Sequence, residues 1–470
     1  MKYELVSGFE THVELATATK IFCGCTTAFG GAPNTHCCPI CTGQPGTLPV
    51  LNKKVVEFAI RAGLALHCTI NTTTHLDRKN YCYPDLPKAY QISQFDKPLC
   101  EHGYVELESG KRIRILRIHI EEDAGKLVHE KGTSYIDYNR GGVPLIEIVS
   151  EPDISSTDEA REYVEKLQLT MRYIGVSDCK MQEGSMRCDV NISLKERGSQ
   201  VLGTRTEIKN MNSISHIEKA MEYEARRQAE ILDDGGEVEQ ATMRFDENSG
   251  ETYVMRTKED AQDYRYFPEP DLLEVAIPQK KVDEIAASLP ELPLEKYKRY
   301  TTELGINAAN AKLLYKYKAV CDFFEECLRL GAGVKNTANL ILGTVYSTLN
   351  TEEEKELFNI RVTPEDMAGL VKLADGGKIN ITLAQMTLAK MLESGKPFTE
   401  YIKEEDLAGV SDDELTELCR QAIEANPKAV EDYKNGKEKA ISGLYGYIKR
   451  ATQGKADIRK ADAIIKELIK

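Results

Sequence analysis

The segment Gly8-Phe-Glu-Thr-His-Val-Glu-Leu15 decides how the first half of the chain is read. Residues two apart in a strand share a face. Glu10, His12 and Glu14 therefore line one side, and Phe9, Val13 and Leu15 turn to the other. The second face can enter a core. The first carries two carboxylates flanking an imidazole, which suits a hard divalent cation or acid–base work. A plain solvent-facing strand would alternate in the same way, so the reading rests on the neighbouring text.

Three further stretches supply it. Ile118-His-Ile-Glu-Glu-Asp-Ala-Gly-Lys126 sets three consecutive acids behind an apolar strand. Glu121 and Glu122 have opposite parity, and spacing alone does not say which points inward. Gly142-Val-Pro-Leu-Ile-Glu-Ile-Val149 buries Glu147 in an apolar run, where an ionised carboxylate is costly unless it is paired or bound to a metal. In Ser185–Ser193, Arg187, Asp189, Asn191 and Ser193 share one side against Cys188, Val190 and Ile192. Gly203–Ser213 then presents Arg205, Glu207 and Lys209 together. Asp and Asn are poor strand formers, so their use here points to a polar cradle for phosphate or carboxylate groups.

Helical signals lie between these strands. Ser156-Thr-Asp-Glu159 reads as a capping box, followed by Val164, Leu167, Met171 and Ile174 at helical spacing and a Gly175 stop. Ser215-His-Ile-Glu218 reads as a second box, its helix running to Gly235-Gly236. The expected class is α+β: a cradle domain around an antiparallel sheet over 1–292, an all-α domain over 293–405 and a small basic helical tail over 406–470. Pro290 and Pro293 mark the first seam, and Asp406–Asp412 the second.

Five of the thirteen cysteines fall between Cys23 and Cys41. Cys23-Gly-Cys25, twelve residues, then Cys38-Pro-Ile-Cys41 gives two close thiol pairs, the arrangement of a closed structural zinc. Cys37 could stand for Cys38, but the two-residue gap to Cys41 fits a zinc knuckle better. Isolated reduced thiols, a redox pair or an iron–sulfur cluster are the competing uses. Two loops, Asp77–Asp85 and Asp263–Asp271, combine Arg, Tyr and Pro, a surface suited to a nucleotide or a stacked base.

The whole chain has 470 residues and a formal charge of −14, with 41% hydrophobic and 29% charged residues. That is globular composition and argues against a uniform nucleic-acid coat. Yet from Tyr433 to Lys470 ten cations face four acids, a candidate phosphate-backbone contact. No run of about 18 apolar residues exists for a membrane span, and Met1–Val6 carries an acid where a signal peptide is apolar. A cytoplasmic protein is expected. There is no G-x-x-x-x-G-K-[ST] loop, no G-x-G-x-x-G after a strand and no G-x-S-x-G elbow. Any ATP site is therefore not a P-loop, and no nucleophile for glutamine hydrolysis is evident.

Taken together, these motifs resemble the B-type subunit of the tRNA-dependent amidotransferases, the aspartyl/glutamyl-tRNA(Asn/Gln) enzymes. The matching text is Gly8–Glu14, Arg78-Lys-Asn-Tyr-Cys-Tyr-Pro-Asp85, His119–Lys126, Leu145-Ile-Glu-Ile-Val149, Gly184–Asn191, Glu207-Ile-Lys-Asn-Met-Asn-Ser213 and Asp263-Tyr-Arg-Tyr-Phe-Pro268, in family order. The resemblance implies a cradle for the acylated 3′ end of misacylated tRNA. There ATP would phosphorylate the side-chain carboxylate of the attached Glu or Asp, and ammonia would displace the phosphate. It implies a heterotrimer with an amidase subunit, which supplies the ammonia, and a small third subunit, the A and C members of the complex. It implies Mg2+ held by Glu10, His12, Glu122 and Glu147, with Glu121 the alternative to Glu122, and structural Zn2+ held by Cys23, Cys25, Cys38 and Cys41. Arg78, Lys79, Arg187, Asp189, Asn191, Arg205, Lys209 and Arg265 are the expected ATP and substrate contacts. A tRNA-binding scaffold without catalysis is the alternative, and a zinc-ribbon nucleic-acid protein a third reading.

Overall fold

The computed structural model describes residues 2–257, 263–403, 412–435, 437–452 and 456–469. They form two compact units, Met1–Leu292 and Pro293–Lys470. The class is α+β, as the patterning implies.

The first unit is built on a nine-stranded sheet. Its strand Tyr3–Glu14 pairs on one side with Met186–Glu196 and on the other with Pro144–Ser150. Beyond Pro144–Ser150 come Arg112–Glu122, Cys100–Glu106 and the short edge Thr69–Ile70. Beyond Met186–Glu196 come Thr206–Met211, Ala241–Asp246 and Glu251–Thr257. Neighbours are antiparallel except Thr206–Met211 with Ala241–Asp246, which run parallel.

One face of the sheet is the core. Phe9, Val13, Ile118, Ile120, Ile146, Ile148, Val190 and Ile192 pack with residues of the helices Lys53–Ala65, Thr157–Tyr173 and Ile214–Asp233 in a single apolar cluster. Alternation leaves the polar partners of these residues on the opposite face, away from the helices.

The helix ends differ in detail from the capping boxes. Ser156 Oγ does accept from Glu159 N at 3.2 Å, but the Glu159 carboxylate returns to Ser155 N at 2.8 Å. The next helix is capped by Ser213, which accepts from His216 N at 3.1 Å. Ser215 lies inside that helix. Ser213 is extended, with φ −154°, the geometry an N-cap requires, so the helix begins earlier than a box at Ser215 implies.

The second unit is helical. One apolar cluster runs from Tyr300 to Met391 and another from Leu415 to Ile469. The seam expected at 406–412 falls, from 404 to 411, outside the described residues, as do Lys455 and Lys470 of the basic tail. Lys449, Arg450 and Arg459 of that tail are exposed.

Candidate active site

Sheet register assembles the site. His12 lies opposite Glu147 and, on its other side, opposite Arg187. Glu147 lies opposite His119 on the next strand. Arg187, His12, Glu147 and His119 thus form one row across four strands, of which His12, Glu147 and His119 line the cavity described below. The same-face row beside it holds Asp189 opposite Glu10 and Arg117 opposite Val149.

His12, Glu121 and Glu147 each present one ligand atom, all within 4.8 Å of one another. His12 Nε2 is 3.4 Å from Glu121 Oε1 and 3.6 Å from Glu147 Oε2. Adjacent ligand atoms on an ion with 2.0–2.1 Å bonds stand about 3 Å apart, so a small contraction would seat such an ion. His119 Nε2, which also lines the cavity, stands 3.1 Å from Glu147 and 3.7 Å from Glu121. Burial would lower the His12 pKa, but the hydrogen bond and charge of Glu147, with Glu121, override it and push it up to about 9. Burial would raise the Glu147 carboxyl, yet His119 and His12 hold it well below the usual range. The cluster is charged and held together by its own pairing.

Glu122 does not join this set. It points to the other side of the strand, where its Oε1 accepts from Lys88 Nζ and from Ile92 N at 2.9 Å. It borders a second cavity of about 240 Å³ that also touches Cys23 and Cys41. Of the Glu121/Glu122 pair, Glu121 is therefore the one that faces His12 and Glu147. Ile118 and Ile120 fill the core face, so parity sends His119 and Glu121 to the site. That signal was present in the sequence.

Glu10 belongs to an adjoining acid group with Asp189 and Glu207. Asn191 Nδ2 donates to Glu10 Oε1 at 3.0 Å. Lys209 Nζ lies 3.0 Å from Asp189 and 2.6 Å from Glu207, so this group already holds an internal cation.

Both groups open into one cavity of about 450 Å³. Its cationic lining comprises Lys79, Arg117, Arg205, Lys209 and Arg256, and its aromatic wall Phe95, Tyr264 and Tyr266. Arg117 Nε is buried without a hydrogen-bond partner among the described residues. Burial would lower the Lys79 pKa, but the charge of Glu121 raises it.

Four expected contacts do not line the cavity: Arg78, Arg187, Arg265 and Asn191, the last already donating to Glu10. Arg78 is engaged by buried Glu269 through two 2.7 Å bonds and lies over the Tyr90 ring. Arg187 donates to Asp123 Oδ2 at 2.8 Å. Arg265 is exposed and absent from the cavity lining, its neighbours Tyr264 and Tyr266 lining it instead. An Arg with a buried carboxylate in reach is neutralised there rather than offered to a ligand.

The cysteine motif converges as its spacing implies. Cys23, Cys25, Cys38 and Cys41 place all four sulfurs within 4.8 Å of one another. The Cys38 and Cys41 sulfurs are 4.0 Å apart, against about 3.8 Å between sulfurs on a tetrahedral zinc with 2.3 Å bonds. Cys37 is outside the group, its thiol turned to Asn34 O at 3.2 Å. Buried Lys20 sets its Nζ 3.6 Å from Cys41 Sγ.

Comparison with known proteins bears on both sites. A family described as the GatB/GatE catalytic domain matches residues 5–283, and one described as the GatB domain matches 322–469. The chain belongs to the GatB/GatE family. Among GatB relatives, the B-type subunit of the aspartyl/glutamyl-tRNA(Asn/Gln) amidotransferase of Caldicellulosiruptor saccharolyticus is 51% identical over 475 residues, covering 99% of each chain. Its counterpart in Thermoanaerobacter sp. is 52% identical over 472 residues, again 99% of each. That of Bacillus velezensis is 48% identical over the full length of both. The GatB catalytic-domain match spans every residue of the cavity described above. Each of these relatives is a B subunit of an aspartyl/glutamyl-tRNA(Asn/Gln) amidotransferase.

Proposed function

We propose that this chain carries the kinase and transamidase site of a glutamine-dependent amidotransferase acting on misacylated Glu-tRNA(Gln), Asp-tRNA(Asn) or both, in the cytoplasm. The side-chain carboxylate of the attached amino acid attacks the γ-phosphorus of ATP, and ADP leaves. Ammonia then adds to the acyl carbon, inorganic phosphate departs, and the amide remains on the tRNA. The observation that carries this reading is the cluster of His12, Glu121 and Glu147, whose members His12 and Glu147 line one cavity together with Lys79, Arg117, Arg205 and Lys209.

Phosphoryl transfer needs charge neutralisation around the phosphates and a recessed, dry site. Magnesium held by His12, Glu121 and Glu147 would supply part of that neutralisation. Arg117 and Lys79 supply fixed positive charge, and Arg205 and Arg256 are placed to orient the nucleotide. Lys209 is shared with Asp189 and Glu207, so it can turn to a phosphate while leaving Asp189 to Asn210 N, which donates to it at 2.9 Å, and Glu207 to Thr242 Oγ1, which donates at 3.2 Å. Glutamine hydrolysis would fall to the amidase member of a heterotrimer whose third member is small. Zinc bound by the four cysteines would fix the loop between Cys23 and Cys41 and take no part in the reaction. The basic tail would meet the tRNA phosphates.

The test is amidation of mischarged tRNA by the co-purified subunits with ATP and either glutamine or ammonium. Glu147→Gln is expected to abolish product from both nitrogen donors while tRNA binding persists. Unchanged turnover in Glu147→Gln would leave the chain a tRNA-binding scaffold.

A further inference from the structure

Two loops carry a row of aromatic rings that continues past the cavity. Tyr83 stacks on Tyr81 with ring centroids 5.8 Å apart and planes 7° from parallel. Tyr81 meets the edge of Tyr264 at 6.3 Å, and Tyr264 meets Tyr266 at 6.1 Å. Tyr266 in turn stacks on Phe95 at 4.3 Å. Tyr264, Tyr266 and Phe95 line the cavity, whereas Tyr81 and Tyr83 lie outside its lining. The row therefore leads from the reaction site to Tyr83, which is 45% exposed.

The loop that bears the outer rings is held through its main chain. Tyr81 N donates to Ala89 O at 3.1 Å, Leu86 N to Tyr83 O at 3.0 Å, and Tyr138 Oη to Pro84 O at 2.8 Å. Asn80 Nδ2 donates to Arg265 O at 2.8 Å, joining the two loops. A ring carried on a held loop loses less freedom when a ligand stacks on it than one on a free loop. Cations accompany the inner end of the row: Lys79 Nζ stands 5.0 Å from the Tyr264 ring centre, and Arg256 lines the same cavity as Tyr264. Fixed exposed rings flanked by cations track single-stranded nucleic acid, because every base has a π-face and every linkage a phosphate.

We propose that Tyr81 and Tyr83 are a stacking platform for the unpaired bases that precede the last nucleotide of an RNA 3′ end, while that last nucleotide enters the cavity. This rests on the reading that an acyl-tRNA is the substrate, and adds where its single-stranded end lies. Tyr81 and Tyr83 stand outside the cavity lining, so the platform serves a ligand that extends beyond the cavity.

Two measurements on the co-purified complex test it. Deacylated tRNA carrying 2-aminopurine two nucleotides from its 3′ end should lose fluorescence on binding wild type, through stacking. It should stay bright with Tyr81→Ala/Tyr83→Ala, while Tyr83→Phe behaves as wild type. In amidation assays the double variant should raise KM for tRNA about tenfold or more, with KM for ATP and kcat at saturating tRNA unchanged. Absent quenching by wild type, or equal quenching by the double variant, overturns the platform. So does a rise in KM for ATP with that for tRNA unmoved, which would make the rings an adenine site. A complex that quenches but amidates nothing keeps the platform and rejects the proposed function. One that amidates without quenching does the reverse.

Discussion

His119 faces Glu147 directly across two paired strands, its Nε2 3.1 Å from Glu147 Oε2. Because Glu147 also faces His12, one carboxylate is clamped between two imidazoles on adjacent strands. Groups that orient metal-binding carboxylates typically matter 10–100-fold in affinity or activity. His119→Leu is therefore expected to reduce amidation by about that factor and to raise the magnesium concentration for half-maximal rate. Equal magnesium titrations of variant and wild type would remove His119 from the site.

Glu121 and Glu122 are neighbours with opposite fates. Glu121→Gln should shift the magnesium requirement upward by about tenfold or more. Glu122→Gln should leave it unchanged, since Glu122 is committed to Lys88 and Ile92 N on the far face. The reverse result would restore Glu122 to the metal set.

The cysteine group predicts one zinc per chain by metal analysis. Cys38→Ala should lose the metal and free the remaining thiols for alkylation, while Cys37→Ala should keep full stoichiometry, its sulfur being turned to Asn34 O. Zinc loss on replacing Cys37 would mean that the ligand set is wrong.

Glu224 is fully buried where the helix Ile214–Asp233 meets the sheet, accepting from Thr206 Oγ1 at 2.9 Å, Thr252 Oγ1 at 2.8 Å and Arg227 Nη2 at 2.7 Å. Burial would raise its pKa, but the hydrogen bonds from Arg227, Gln228 and Thr252 outweigh it and hold the carboxyl below the usual range. A depressed pKa stabilises the fold above the unfolded value, about 4.3 for glutamate, and that stability is lost as pH falls. Amide exchange of this helix should therefore accelerate below about pH 4 in wild type. Glu224→Gln should flatten that dependence, and Glu224→Ala should cost about 3–5 kcal/mol of local protection at neutral pH by leaving Arg227 unpaired. A pH profile shared by wild type and Glu224→Gln would show that another group governs it.

Much of the site was legible in one dimension. Alternation in Gly8–Leu15 sorted Glu10 and His12 from Phe9 and Val13, because strand side chains repeat every two residues whatever the strand's neighbours. The same rule, applied to the isoleucines flanking His119, selects Glu121. Local spacing likewise grouped Cys23, Cys25, Cys38 and Cys41, since short loops restrict which thiols can meet.

Contacts between distant segments were not legible. Arg78 looked available until Glu269, far along the chain, was found against it, and Arg187 until Asp123 was. Composition and period determined that this chain makes an acid-lined sheet over a helical layer with a separate cysteine knuckle. Strand order and register, which set Tyr3–Glu14 against a strand more than a hundred residues later, decided that His12, Glu147 and His119 stand in one row. Pairing energy is spent wherever an opposite charge comes within reach, so only the folded chain decides which cations remain for a substrate.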